Sequence, residues 1–299
     1  MTTTTRAPFR FGEAQFEWGE EVFALQDSSP LVHDGNFDAL RARLQNDGFL
    51  FIRGFHPRNL AQKAEAWVLE AIRERGGLNA DGTISDKNLT FAFFRDTAIS
   101  HAPEILALTD GGHTFSFYEQ LLGGDVLTFD KRWLRAMAQG GNNGFHYDKV
   151  YVGRGTPNKL TMWSAISDIP LERGPLVMAL GSHQDERLKS TYGATDVDRD
   201  AADPVFSTDP REIVDYFGFK LGTTNFEPGD VLIFPMLSMH SSAPNLDNYY
   251  RISIDTRYQL ASEETDPRFF GENGTWQGNF ANKDRPITPI AELKKQWGL

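Results

Sequence analysis

In the first 124 residues of the chain, polar stretches separate segments whose apolar residues recur every three or four positions. That spacing places the apolar side chains on one face of an α-helix. It predicts helices over residues 34–46, 57–75, 102–108 and 115–122. Trp67 falls on the apolar stripe of the second helix, so we expect it to pack in the core. Residues 1–30 are polar and irregular, and we expect an arm that is poorly ordered or wraps the surface.

From residue 125 onward the pattern changes to short apolar runs separated by Gly, Pro and Asn. These runs predict strands over residues 160–166, 174–180, 230–234 and 251–258, in addition to an earlier strand over 49–52. Helices followed by a β-rich body indicate an α+β fold with a mainly β core, either a sandwich or a barrel. Residues 185–215 are rich in Asp, Arg and Thr. They are typical either of an insertion that covers a site or of a solvated excursion.

Neither repeats nor a convincing linker divide the 299 residues. We therefore predict a single domain. It would have a helical portion over residues 1–124 and a β core over 125–260. A loop-rich C-terminal flap over 261–299 would follow, and it would end in a short helix over 290–297.

Composition narrows the classes of function. The formal net charge is −11, which argues against nucleic acid or an anionic membrane surface as the main partner. Cysteine is absent, so disulfides, thiolate zinc sites and thiol nucleophiles are excluded. Residues 1–6 lack the apolar run of a signal peptide, and no stretch is long and apolar enough for a membrane span. We expect a cytoplasmic protein, and the sequence makes no prediction of its oligomeric state.

A candidate metal site begins at His146 and Asp148. Side chains two positions apart lie on the same face of an extended strand, so an imidazole and a carboxylate would enter one pocket. Two histidines and one carboxylate on one face of Fe(II), with the other positions open, form a common iron site. His240, 94 residues after His146 (240 − 146), follows a predicted strand and is our candidate for the third ligand.

Arg251 follows His240 by 11 residues (251 − 240) and opens the next predicted strand. Arginine is planar and permanently charged, and it binds carboxylates through two parallel hydrogen bonds. It would therefore suit the far carboxylate of a 2-oxo acid that chelates the iron. Taken alone, Arg251 is better explained as a surface charge on a strand, but together with the two histidines and Asp148 we prefer the functional role. Arg257 lies six positions further along the strand, an even offset, and is the natural competitor for this role.

The order of these motifs resembles the phytanoyl-CoA dioxygenase-like family of Fe(II)/2-oxoglutarate oxygenases. The resemblance covers roughly residues 125–260, with a weaker echo over 49–55. It is carried by His146-Tyr147-Asp148, by residues 163–168, 173–183 and 229–232, by His240 to Asn245, and by Arg251.

This resemblance implies a double-stranded β-helix, a jelly-roll or cupin-like core. It also implies that His146, Asp148 and His240 ligate the iron and that Arg251 binds 2-oxoglutarate. By the same analogy Ser242 helps to hold the co-substrate and Trp163 lines the pocket, while His183 has a structural role. Related halogenases replace the carboxylate ligand with a small residue, so the presence of Asp148 favours oxygenation over halogenation.

We therefore predict an oxidoreductase, an Fe(II)/2-oxoglutarate-dependent dioxygenase. It would hydroxylate or otherwise oxidise a small-molecule metabolite with O2 and form succinate and CO2. A non-oxidative cupin-like isomerase or a binding protein is the alternative. Arg135, Lys149 and Tyr151, together with Arg154, flank the iron strand and are candidate substrate contacts. Each could equally be solvated, but as a basic cluster in an acidic protein they favour an anionic substrate.

Overall fold

A computed structural model of the chain describes residues 7–270 and 286–299. The strands are β1 (Phe9–Phe11), β2 (Ala14–Phe16), β3 (Val22–Ala24), β4 (Leu50–Ile52), β5 (Val126–Thr128), β6 (Trp133–Met137), β7 (Asn143–His146), β8 (Leu160–Ala165), β9 (Leu176–Leu180), β10 (Lys220–Thr223), β11 (Val231–Pro235), β12 (His240–Ser242) and β13 (Arg251–Leu260). The helices are α1 (Ser29–His33), α2 (Phe37–Asp47), α3 (Arg58–Glu74), α4 (Thr97–Ser100), α5 (Pro103–Thr109), α6 (Gly112–Leu122), α7 (Lys149–Val152), α8 (Glu186–Ser190), α9 (Val197–Asp200) and α10 (Ile290–Trp297).

Two sheets form the β core. One has the strand order β3-β10-β9-β12-β7, and the other has the order β4-β11-β8-β13-β5, with β6 also paired to β13. Phe51, Trp163 and Leu232 of the second sheet share one buried cluster with Leu176 and Met178 of the first. The sheets therefore face each other across a common core. The predicted α+β class with a jelly-roll core is confirmed.

The helices of the N-terminal portion cover the outer face of the second sheet. Val68 of α3 and Ile105 of α5 pack with Leu134 and Ile254, and Tyr118 of α6 stacks on Tyr258 with ring centroids 4.0 Å apart. All six residues of β8 are buried because this strand has the opposite sheet on one side and helices on the other. That burial explains why its sequence contains no charged residue and, apart from Thr161 and Ser164, is apolar.

Of the two alternatives for the N-terminal arm, poor ordering is wrong for its described part, which packs against the first sheet. Phe9, Phe11 and Phe16 of the β1–β2 hairpin are buried, and β3 joins the first sheet beside β10. The aromatic residues alternate with polar ones, which is the period of a half-buried strand. The insertion over residues 185–215 is also packed against this sheet, since Leu188 and Phe206 are fully buried.

The expectation that Trp67 packs in the core is also wrong. Its side chain is 39% exposed, and its indole N–H donates a hydrogen bond to the carbonyl of Ile99 at 3.2 Å. The buried stripe of α3 is made of Ala61, Ala64, Val68, Ala71 and Ile72. Trp67 lies at the edge of this stripe, where the indole keeps one side in water and its N–H finds a partner.

Several helix ends were predictable because their capping residues act locally. The Asn36 side chain accepts a hydrogen bond from the amide of Ala39 at the start of α2, and Gly48 ends that helix with φ +77°. The predicted helix over residues 290–297 is confirmed as α10. In the part of the chain that is described, no helix is long and apolar enough to cross a membrane.

Gly48 is expected to be sensitive to substitution for two reasons. A non-glycine residue in the left-handed region costs about 1–2 kcal/mol, and a Cβ at Gly48 would overlap the imidazole of His183. At Gly35, which has φ +63° and no atom near the position of a Cβ, substitution would incur only the backbone cost. In urea unfolding, Gly48→Ala should therefore lose more stability than Gly35→Ala, by at least about 1 kcal/mol. Equal losses would show that the ring of His183 moves aside freely.

Candidate metal centre

His146 and His240 lie opposite each other on neighbouring antiparallel strands. His146 is the last residue of β7 and His240 is the first residue of β12, and the two are paired in register. Their ring centroids are 4.4 Å apart. The long-range pairing of these two strands therefore brings together histidines that are far apart in sequence.

The Asp148 carboxylate lies beside the two histidines, but its backbone is not part of the strand on which we predicted it. The strand ends at His146, and Asp148 adopts a helical conformation (φ −60°, ψ −28°) directly before α7. The carboxylate nevertheless faces the histidines, with Asp148 Oδ1 3.7 Å from His146 Nε2 and 3.9 Å from His240 Nε2. The three candidate ligand atoms all lie within 4.8 Å of one another.

The hydrogen bonds of the two histidines leave both Nε2 atoms free to bind a metal. His146 Nδ1 lies 2.7 Å from the carbonyl oxygen of Gly144, and His240 Nδ1 lies 3.0 Å from that of Ser238. A carbonyl oxygen only accepts, so each Nδ1 carries a proton and donates it. Each Nε2 then presents a lone pair beside Asp148, as a metal ligand must.

The electrostatic environment favours neutral forms of His146 and His240 and the ionised form of Asp148. Burial, with a smaller contribution from His240, lowers the pKa of His146 to about 3, and burial also lowers the pKa of His240. Burial alone would raise the pKa of Asp148, but the Arg257 guanidinium and both histidines outweigh it and hold that pKa well below its usual value. Two neutral imidazoles and one carboxylate are the ligand set that Fe(II) takes in such sites, so the donor set fits this metal.

Two cavities meet at this triad. The narrower one extends from His146, Asp148 and His240 to Ser242 and Arg251. The wider one, of about 330 Å³, is also lined by His146 and Asp148. Its remaining lining residues are Trp133, Arg135, Asn142, Asn143, Gly144, Tyr151, Val152, Val205 and Arg257. A metal at the triad would therefore contact a narrow site and a site of small-molecule size at once.

Arg251 lies in the narrower cavity with an incomplete set of partners. Its side chain is 1% exposed and donates to Ser253 Oγ at 2.6 Å and to Ser242 Oγ at 3.1 Å, while Nε makes no hydrogen bond. Burial, followed by repulsion from Arg135, lowers the pKa of Arg251 to about 9. Both hydrogen-bond partners are neutral hydroxyl groups, so this buried cation lacks a directly bonded anion. A carboxylate ligand fits that position.

Trp163 and Ser242 both line the narrower cavity, as predicted for the co-substrate site. Arg135 borders both cavities, and Tyr151 borders the wider one with its ring edge-on to His146 at 5.5 Å. Lys149 lines neither cavity, because its ammonium group donates to the carbonyl of Gly153 at 2.9 Å. Arg154 is also outside both cavities and forms an ion pair with Asp196.

Sequence reasoning missed Thr161 and Asp255, and it assigned Arg257 only as a competitor for the co-substrate. Thr161 and Arg257 donate hydrogen bonds to Asp148 Oδ2, at 2.5 and 2.7 Å. The odd-numbered positions of β13 share one face, and that alternation could have marked Asp255.

His183 contacts the carbonyl oxygen of Gln45 at 3.2 Å, and its neighbour Ser182 accepts a hydrogen bond from the amide of Met239. His183 and Ser182 together therefore join the end of α2 to the residue before β12, and the contact of His183 is a structural one.

Similarity to known proteins agrees with this geometry. The model of the family described as phytanoyl-CoA dioxygenase (PhyH) matches residues 44–253, more than half of the chain. The 1-deoxypentalenic acid 11-beta-hydroxylase of Streptomyces exfoliatus is 28% identical over 253 residues, which is 79% of this chain and 85% of that protein. Its counterpart from Streptomyces arenae is 26% identical over 251 residues, with the same shares covered.

Solved structures share the fold. The non-heme alpha ketoglutarate dependent epimerase SnoN from nogalamycin biosynthesis aligns with a TM-score of 0.54 at 17% identity, covering 86% of this chain and 96% of that one. EctD from S. alaskensis aligns with a TM-score of 0.54 at 19% identity, covering 84% and 88%. With the triad and the family match, the predicted cofactors are confirmed. The chain belongs to the phytanoyl-CoA dioxygenase family and is an oxidoreductase that uses iron and 2-oxoglutarate.

Proposed function

We propose that the protein hydroxylates a small organic molecule with O2, while 2-oxoglutarate is converted to succinate and CO2. One observation carries the proposal: the triad lies where a narrow cavity ending at the buried, incompletely paired Arg251 meets a cavity of about 330 Å³. An isomerase of the cupin type needs no cation at the position of Arg251. The whole chain would act as one oxygenase domain, since helices and sheets share their buried clusters.

Bound Fe(II) and 2-oxoglutarate supply the oxidising chemistry, and the chain supplies position and environment. His146, Asp148 and His240 would hold the metal. Arg251 would bind the distal carboxylate of 2-oxoglutarate, with the Ser242 hydroxyl held against it. Trp163 and Phe234 form apolar walls of the narrow cavity and limit the access of water. The wider cavity is left for the substrate.

The charges around the two cavities favour an anionic substrate. Arg135, Arg251 and Arg257 outnumber Asp148 and Asp255, so the lining carries a net charge of +1 (3 − 2) in a protein whose net charge is −11. Adding Fe(II) and doubly charged 2-oxoglutarate leaves that balance unchanged. A substrate with one carboxylate would neutralise it, and the similar Streptomyces hydroxylases are named for an acid.

Arg135 and Tyr151 are the contacts we propose for this substrate. Arg135 Nε donates to Asp255 and its Nη1 donates to the carbonyl of Ala92. These bonds fix the guanidinium at the edge of the substrate cavity. The Tyr151 ring stands over His146 and would limit where the substrate can approach the metal. Lys149 would have to break its hydrogen bond to the carbonyl of Gly153 in order to contact the substrate.

Succinate release tests the reaction itself. The purified protein, stripped with a chelator, should form succinate from 2-oxoglutarate only after Fe(II) is restored and O2 is admitted. Substrates are then sought among small carboxylic acids by stimulation of succinate formation and by a mass increase of one oxygen atom. A protein that binds Fe(II) and never forms succinate would support the isomerase or binding alternative.

Arg135→Gln is expected to weaken use of an acid substrate. One hydrogen bond to a charged group contributes about 1.5–3 kcal/mol, which corresponds to roughly a tenfold to hundredfold rise in KM. The methyl ester of the same acid should be affected much less. Arg154→Gln removes an arginine outside both cavities and is the matched control. If acid and ester respond equally to Arg135→Gln, this arginine does not bind the carboxylate.

A further inference from the structure

The two oxygens of the Asp148 carboxylate have different surroundings. Oδ1 faces the two histidines, with both Nε2 atoms less than 4 Å away. Oδ2 points away from them and accepts hydrogen bonds from Thr161 Oγ1 at 2.5 Å and Arg257 Nη2 at 2.7 Å. The carboxylate therefore presents one oxygen to the metal position and has the other engaged by the protein.

Arg257 is itself held on several sides. It is 4% exposed, its second terminal nitrogen, Nη1, donates to Asp255 Oδ2 at 2.7 Å, and its guanidinium carbon lies 4.3 Å from the ring centroid of Trp133. Asp255 is in turn bonded through Oδ1 to Arg135 Nε at 3.0 Å. A planar group clamped between two carboxylates and an aromatic face has little freedom to turn.

We infer that Arg257 is a positioning residue that keeps Asp148 a one-oxygen ligand of the iron. The inference rests on the proposed metal centre. A triad that uses one atom from each residue leaves three of six positions open, which the 2-oxo acid and O2 both need. If Asp148 turned to chelate the metal through both oxygens, one of these positions would be lost. Arg257, with help from Thr161, opposes that rotation.

The role differs from the one that sequence spacing offered to Arg257 as the partner of 2-oxoglutarate. Both terminal nitrogens of Arg257 already bond to carboxylates of the protein, whereas Arg251 bonds only to serine hydroxyls. The Nε of each arginine lacks a hydrogen bond, so the difference lies in the terminal nitrogens. Those of Arg257 have carboxylate partners in the protein, and Arg251 is the arginine that lacks an anion. Substitution of Arg257 should therefore weaken metal binding directly, and it should weaken 2-oxoglutarate binding only as a consequence.

Metal binding provides the test, without any need for turnover. Fe(II) under anaerobic conditions and redox-stable Co(II) are titrated into wild type, Arg257→Gln, Arg257→Lys and Thr161→Val. Outer-shell changes cost about 10–100-fold in metal affinity, and we expect a loss in that range for Arg257→Gln. Arg257→Lys keeps the positive charge but not the planar guanidinium with its paired donors, so its metal affinity should be intermediate. Thr161→Val keeps the shape of the side chain and should show a smaller loss.

The visible absorption of bound Co(II) supplies a second readout, because its bands change when one ligand of the metal replaces another. Arg257→Gln should change the Co(II) spectrum as the second oxygen of Asp148 takes an open position, and the control variant Arg132→Gln should not. Arg132 is a buried, ion-paired arginine whose partner is Asp110, outside both cavities, so it controls for loss of a buried ion pair.

The outcomes separate the inference from the proposed function. Unchanged metal affinity and an unchanged Co(II) spectrum in folded Arg257→Lys and Thr161→Val would overturn the positioning role. Loss of 2-oxoglutarate binding alone in Arg257→Lys, with metal affinity intact, would also overturn it. If wild type itself bound neither metal, the proposed function would fail before Arg257 came into question.

Discussion

His146→Ala, Asp148→Ala and His240→Ala should each abolish succinate formation and weaken Fe(II) binding by more than the ~100-fold that outer-shell changes cost. Each substitution removes one of the three proposed ligands, which form a possible metal site among the described residues. The two histidines lie on paired strands whose backbone bonds do not depend on the side chains, so the fold should remain largely intact. Metal titration and circular dichroism of the three variants provide the measurements.

His33→Ala is the matched control, because His33 lies at the end of α1 and lines neither cavity of the metal centre. It should keep wild-type affinity for Fe(II) and wild-type succinate formation. If all three triad variants retained full turnover of 2-oxoglutarate in the absence of substrate, the metal centre would be assigned to the wrong residues.

Arg251→Ala should raise the 2-oxoglutarate concentration required for binding by at least about two orders of magnitude. Each hydrogen bond to a charged group contributes about 1.5–3 kcal/mol, and two such bonds to the carboxylate would supply about 3 kcal/mol or more. At about 1.4 kcal/mol for each factor of ten, that energy corresponds to a hundredfold change. The variant would also leave the co-substrate carboxylate buried without a partner. Isothermal titration with 2-oxoglutarate at saturating Co(II) measures the effect.

Arg251→Lys should recover little of this affinity, because an ammonium group cannot reproduce the planar fork of a guanidinium. Arg257→Ala, titrated side by side at saturating metal, should lose far less affinity for 2-oxoglutarate than Arg251→Ala. The reverse pattern would show that Arg257 binds the co-substrate. If neither variant lost affinity, 2-oxoglutarate would not occupy the narrow cavity.

Much of the fold was predictable because its signals are local. Helical spacing of apolar residues, Asn36 at the start of α2 and Gly48 at its end act within one or two turns of the chain. The mainly apolar sequence of β8 and the alternation of polar and apolar residues along β13 are likewise properties of neighbouring residues. Trp67 was misplaced because the same spacing does not say where a buried stripe ends and its exposed edge begins.

From the sequence alone, the apolar pattern predicted a mainly β core, and the family resemblance implied the jelly-roll class. The sequence also singled out His146, Asp148 and His240 as the candidate triad, although Asp148 lies just beyond the strand on which we predicted it. Only the tertiary structure distinguishes the surroundings of the two arginines of β13, which lie on one face of the same strand. Arg257 pairs with Thr161 across the sheet and reaches Asp148, whereas Arg251 pairs with Met137 and reaches only hydroxyl groups. Periodicity specifies the face on which a side chain lies, but its charged partners come from strands that are distant in sequence.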